Sequence, residues 1–145
     1  MRRVKPLAEL CQDLPVSLTG PDVMINDITE DTRDVSQGCL FVARRGGRFD
    51  GRDLIPQAIE SGAVAVLAEP GLGIPGFPVV TCGCPDEIGT RLADRLMGTL
   101  SLPVIAITGT NGKTTTASFL QHLLGPGTGL IGSIEVHDGH ASRPA

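Results

Sequence analysis

Lys113 and Thr114 follow directly on Gly112, and they close a segment, PVIAITGTNGKTTT over residues 103–116, whose residue types handle phosphate. Gly109 and Gly112 let backbone N–H groups turn inward around an anion. The helix-period residues over 117–124 add the positive end of a helix dipole. In such a turn Lys113 reaches the β- and γ-phosphates and the Thr114 hydroxyl sits on Mg²⁺. The chemistry indicated is a phosphate cradle over Gly109, Thr110, Asn111, Gly112, Lys113, Thr114 and Thr115, with Mg²⁺ at Thr114. Val104-Ile105-Ala106-Ile107 precedes the turn, β-branched at three of four positions, and predicts a buried strand. The spacing departs from the general G-x-x-x-x-G-K-[ST] pattern, because Ile107 stands where that pattern needs glycine. What remains is the shorter G-T-N-G-K-T-T. A tight strand-to-helix turn with an exposed lysine would show the same letters.

Other residues that could do chemistry are sparse. Cys82-Gly-Cys84 lacks the two-residue spacer of a zinc knuckle or redox pair. The four cysteines, Cys11, Cys39, Cys82 and Cys84, are expected to be reduced thiols. His137-Asp138-Gly139-His140 reads as a solvated turn rather than a metal pair. Net charge is −4 and the lysines and arginines are not clustered, so neither nucleic acid nor a membrane surface is indicated as a partner. No apolar run approaches the ~18 residues of a membrane span. The basic opening is followed by a segment too short and polar for a signal core. The expected compartment is the cytoplasm.

The elements that must position the phosphate turn alternate between strand and helix. A short helical patch over 7–10 breaks at Pro15. A strand is predicted over 22–29, with Val23, Ile25 and Ile28 inward. After a polar loop comes a compact strand over 39–43, then a Gly-rich loop over 44–51. Asp53 is expected to cap a helix over 54–61, with Pro56 in its first turn and Gly62 as its stop. Strands over 63–68 and 79–82 flank a Pro/Gly-punctuated loop. Pro85-Asp86-Glu87 opens a helix carrying Ile88, Leu92, Leu96 and Met97 on one side. Residues 98–102 read as a seam. The fold class is therefore α/β: a small α/β N-terminal domain over 1–100, then the first βαβ portion of a P-loop ATPase domain over 101–145. In the second part a helix over 114–124 precedes one or two strands over 128–136. About 45 residues cannot complete a nucleotide-binding domain, so the chain is expected to be the N-terminal portion of a larger protein.

Three stretches, taken in order, resemble one family. Ile28-Thr-Glu-Asp-Thr-Arg-Asp-Val35 is similar to the "DSR" segment of MurE-type members of the Mur ligase family, with Thr32 at the usual serine. Gly38-Cys-Leu-Phe-Val-Ala43, then Gly46 and Asp50-Gly51, resembles their G-x-L-F-V-A…G…DG stretch. Ile107 to Thr115, then Gly129-Leu-Ile-Gly-Ser-Ile134, resembles their ATP loop and the strand after it. Alone, Asp31-Thr32-Arg33 reads rather as a solvated turn, and Arg44, Arg45 and Arg48 rather as a wet loop. Their order ahead of the ATP loop gives them meaning.

The resemblance implies an ATP-dependent amide ligase of peptidoglycan synthesis, with an N-terminal domain for a UDP-sugar, a central ATPase and an amino-acid domain. Its substrates would be UDP-MurNAc-L-Ala-D-Glu and an amino acid, diaminopimelate or lysine. ATP would phosphorylate the dipeptide's terminal carboxylate, and the amino acid's amine would then displace the phosphate. It implies Thr32 and Glu30 as UDP-MurNAc contacts, together with Gly47, Arg48 and Phe49 from the second loop. Gly109 to Thr115 carry over as the ATP loop, with Lys113 catalytic and Thr114 on the metal. A monomer is expected. The family's threonine pair, its downstream magnesium ligands, its modified lysine and its amino-acid domain have no counterpart here, so these 145 residues are not expected to ligate alone. The competing reading is a non-catalytic UDP-sugar or nucleotide-binding module with a vestigial P-loop. A generic P-loop kinase or ATPase is disfavoured by Ile107.

Overall fold

The computed structural model describes residues 3–45, 50–98 and 102–145. The chain divides into two compact units, Met1–Leu100 and Ser101–Ala145.

The first unit runs β1 (Lys5–Pro6), α1 (Leu7–Cys11), β2 (Ser17–Thr19), β3 (Met24–Ile25), β4 (Asp27–Thr29), β5 (Cys39–Ala43), a 3₁₀ turn at Gly51–Leu54, α2 (Ile55–Glu60), β6 (Ala63–Ala68), β7 (Val79–Thr81) and α3 (Pro85–Met97). Five strands form one sheet in the order β2-β7-β6-β5-β4. β4 to β7 are parallel, and β2 closes the edge antiparallel to β7. β5 is buried along its whole length. A parallel strand covered on both faces has no polar side to alternate, which is why Cys39-Leu-Phe-Val-Ala43 is continuously apolar.

The two faces bury different sets. Leu40, Val42, Ala65, Leu67 and Val80 pack with Leu7 and Leu10 of α1 and with Ile88, Leu92 and Leu96 of α3. Phe41, Ala43, Val66 and Ala68 pack with Ile55 and Ala58 of α2. A bulge makes this possible on β6. Cys39 pairs with Ala63 but Leu40 with Ala65, so Val64 is the extra residue. That insertion changes the alternation and lets Ala63 join Val66 and Ala68 on the α2 face.

Several expectations need correction. The strand over 22–29 is broken at Asn26, whose N–H donates to Gly38 O at 3.0 Å and whose amide donates to Gln37 O at 2.8 Å. β3 instead pairs with β1, and only β4 enters the main sheet. Asp53 does not cap α2. Asp50 accepts from the Arg52 N–H at 3.0 Å and starts a 3₁₀ turn, after which α2 begins with no side-chain cap. β2 and a strand at Ser142–Pro144 lie where no strand is expected, because three-residue strands carry too little pattern to be read. Cys11, Cys39, Cys82 and Cys84 are free thiols, and burial pushes Cys11 and Cys39 up to about 11.

The second unit holds α4 (Lys113–Leu124) and the antiparallel strands β8 (Leu130–Ile131), β9 (Glu135–His137) and β10 (Ser142–Pro144). The run over 104–107 is not a strand here. Val104 is 86% and Ile105 61% exposed. β-branched residues favour extended backbone, but a strand also needs a neighbour's N–H and C=O groups, and none pairs with this run among the described residues. No described helix is long and apolar enough to cross a membrane.

Candidate functional site

Each unit carries one set of site residues. In the second unit, Gly112 is the N-cap of α4 with φ 78°, the left-handed region that glycine enters without strain. The first intrahelical bond runs from the Thr116 N–H to Gly112 O, at 2.9 Å. The N–H groups of Lys113, Thr114 and Thr115 lie ahead of it, and no side chain caps them. No acidic residue stands in the first turn to offset the helix dipole. Lys113 Nζ donates to Gly109 O at 2.7 Å, so its charge lies across the mouth of the turn. Residues 109–115 are all exposed. The seven residues expected to grip phosphate are thus continuous, open and rich in unpaired donors.

That arrangement fits the phosphates of a nucleotide, because uncapped N–H groups, a positive helix end and a cation converge on one turn. For a metal it offers the Thr114 hydroxyl. Among the described residues no group of three or more His, Cys, Asp or Glu is placed to hold an ion. The pair His137 and His140 brackets a turn, as expected: Asp138 Oδ1 accepts from the His140 N–H at 2.8 Å and the Ala141 N–H at 2.7 Å. His137 Nδ1 accepts from the Gly139 N–H at 3.0 Å.

In the first unit the charged residues collect just beyond the carboxyl ends of the parallel strands. Ligands bind there in open α/β sheets, because the loops are free to vary while the strands hold them. Glu30 follows β4, Arg44 and Arg45 follow β5, Glu69 follows β6, and Asp86 lies in the first turn of α3. Arg44 Nε and Nη2 each lie 2.8 Å from an oxygen of Glu30, a bidentate fork. Asp86 is 3.8 Å from the same Nε. Arg45 reaches Glu69 at 3.3 Å and Asp50 at 3.7 Å.

Thr32 lies in the turn after β4. The Asp34 N–H donates to Asp31 O at 3.1 Å and closes the turn, while Asp31 N donates to Thr29 Oγ1 at 3.1 Å. Asp31 Oδ1 accepts from the Arg33 N–H at 2.9 Å and from Arg33 Nε at 3.0 Å. Those bonds, the side-chain one above all, pull the Asp31 carboxyl down to about 2. Asp31 and Arg33 therefore build the turn, and Thr32 sits half-buried between them. Gly47, Arg48 and Phe49 lie outside the described residues.

The sequence points to Arg44 and Arg45 only through their order ahead of the ATP loop, and it assigns Glu69 and Asp86 no site role. Their signal was positional: each lies within a few residues of the end of a predicted strand or at a predicted helix start. Nothing in their spacing indicated that Arg44 would meet Glu30, fourteen residues earlier.

Comparison with known proteins finds matches in both parts of the chain. A model of the Mur ligase family catalytic domain matches residues 24–84, and one of the Mur ligase middle domain matches residues 107–143. The chain is 39% identical over 138 residues to the UDP-N-acetylmuramoyl-L-alanyl-D-glutamate--2,6-diaminopimelate ligase of Chlamydia trachomatis serovar D, covering 89% of this chain and 28% of that protein. It is 38% identical over 130 residues to the ligase of the same name from Geobacillus kaustophilus, covering 86% and 26%. The chain thus spans little more than a quarter of the length of these curated relatives. Among solved structures, MurF ligase from Thermotoga maritima in complex with ADP superposes with a TM-score of 0.56 at 34% identity, covering 68% of this chain and 23% of that one. A MurF structure from Acinetobacter baumannii shares the fold, with a TM-score of 0.52 at 20% identity over 62% of this chain and 21% of that one.

Proposed function

The chain belongs to the Mur ligase family, and from that premise we propose that it supplies the UDP-sugar-gripping and ATP-gripping loops of the ligase that adds the third amino acid to UDP-MurNAc-L-Ala-D-Glu. The relatives' names make diaminopimelate the favoured amino acid over lysine. Residues 1–100 are the UDP-sugar domain and residues 101–145 the start of the ATPase domain. The compartment proposed is the cytoplasm. The net charge of −4 supports small-molecule partners rather than nucleic acid or a membrane, and a monomer is proposed.

The observation that carries this reading is the uncapped start of α4 with Lys113 folded over it. ATP, when bound with Mg²⁺, supplies the phosphoryl group that activates the dipeptide's carboxylate. The chain's own contribution is positioning and charge. N–H groups over 109–115 fix the phosphates, and Lys113 leaves the Gly109 carbonyl to offset charge on them. The Thr114 hydroxyl is the one metal contact these residues provide. In the first unit Thr32, held in its turn by Asp31 and Arg33, presents its hydroxyl to the UDP-MurNAc moiety; Glu30, Gly47, Arg48 and Phe49 are proposed as further residues for the same ligand.

Calorimetric titration of the 145-residue chain tests both halves. ATP–Mg²⁺ and UDP-MurNAc-dipeptide should each release or absorb heat. Thr32→Val should weaken the second without altering the first. Absence of heat with both ligands would sink the reading.

A further inference from the structure

We propose that Arg44 is the residue of the first unit that takes a phosphate group of the nucleotide-sugar, and that Glu30 holds this guanidinium only until the ligand displaces it. The proposal rests on the UDP-sugar reading above and names which side chain reads the charged part of that ligand.

Arg44 stands on the carboxyl edge, one strand in from the outer strand β4. It leaves β5, which lies between β4 and β6, and it touches acids from two further elements, Glu30 and Asp86. Its backbone is held. The Gly51 N–H donates to Arg44 O at 2.8 Å, and a Cβ at Gly51 would fall 2.5 Å from that oxygen. The side chain is much less constrained, with Arg44 49% and Glu30 54% exposed. An exposed carboxylate–guanidinium pair is weakly held, because water and salt compete for both partners. The diphosphate of a UDP-sugar carries two negative charges and four unbridged oxygens against the one charge and two oxygens of Glu30, and each phosphate offers the same two-pronged geometry to arginine. Glu30 therefore keeps the fork oriented in the free protein yet loses it to a phosphate. Because Asp86 also lies near the guanidinium, Arg44 is the only cation this cluster of three presents.

Calorimetric titration of the intact chain with UDP, with inorganic pyrophosphate and with uridine tests this. Arg44→Ala should weaken UDP and pyrophosphate roughly tenfold or more. Arg44→Lys should recover only part of that loss, since it restores charge without the fork. Glu30→Gln should tighten both roughly two- to fivefold by removing the competitor. Uridine, lacking phosphate, should bind all variants alike. Equal UDP affinity in wild type and Arg44→Ala would overturn the proposal while leaving the UDP-sugar reading intact. Weaker UDP binding by Glu30→Gln would overturn the displacement. If wild type bound neither UDP nor UDP-MurNAc-dipeptide, the UDP-sugar reading would fall, and this inference with it.

Discussion

Lys113 Nζ donates to the carbonyl oxygen of Gly109 across 2.7 Å, so the cation of the glycine-rich turn rests on the turn's own first residue. The contact is exposed and carries no core packing. It orients the ammonium over the uncapped N–H groups of α4, and a phosphate entering there meets both at once.

Replacing that cation should therefore affect nucleotide binding and little else. Lys113→Met is expected to lower ATP affinity by roughly tenfold to a hundredfold, the worth of a charge-assisted hydrogen bond. Calorimetry reads the affinity, and far-UV circular dichroism should be unchanged. Undiminished ATP affinity would remove Lys113 from the site.

Gly38 closes the loop that carries Thr32. Its φ is +87°, and a Cβ there would lie 2.5 Å from Asn26 Nδ2. That nitrogen donates to Gln37 O, the bond that breaks the strand at Asn26. Gly38→Ala combines left-handed strain with loss of this bond, and should destabilise the first unit by about 2–3 kcal/mol. Urea denaturation measures this, and a loss below about 0.5 kcal/mol would mean that the loop re-forms freely.

Leu92 is fully buried between α3 and the sheet, whereas Met97 on the same helix is 57% exposed. Leu92→Ala should cost about 2–5 kcal/mol through lost burial and an unfilled cavity. Met97→Ala should fall within about 0.5 kcal/mol of wild type. Equal effects in thermal or urea unfolding would contradict the assignment of α3's inner face.

The carboxyls of Asp31 and Asp50 are held at about 2, below the ordinary 3.8, chiefly by side-chain hydrogen bonds from Arg33 and Arg52. A lowered folded-state pKa means that the unfolded chain takes up protons first as pH drops. The stability these groups contribute is complete above pH ~4 and is lost as pH falls from ~4 towards 2. Carbon-13 carboxyl titration should find Asp31 near 2, and Arg33→Gln should return it towards the ordinary value. An Asp31 titration at the ordinary value in the unsubstituted chain would show that the turn around Thr32 is not held as described.

The sequence by itself determined the parts whose chemistry is local. Gly112-Lys113-Thr114 marks a glycine-led helix start with a lysine at its first position, because the groups involved are neighbours along the backbone. The buried strands β5 and β6 were legible for a similar reason, since apolar runs bounded by glycine and polar clusters have few other uses. The helix α3 announced itself through proline and acids in its first turn and leucines at helical spacing.

Only the tertiary structure decided what depends on partners distant in the chain. Val104 to Ile107 has the composition of a strand but gains no ladder here, because hydrogen bonds to a neighbour make a strand and composition does not supply one. The break at Asn26 came from an amide reaching Gln37, eleven residues away. Asp50 rather than Asp53 took the capping role because the chain turned one residue after Asp50, a choice between two equally suitable carboxylates. The pairing of Glu30 with Arg44 arose because β4 and β5 lie side by side in parallel, which brings the loops beyond their carboxyl ends to one edge. Side-chain types set which charges were present; strand order set which of them meet.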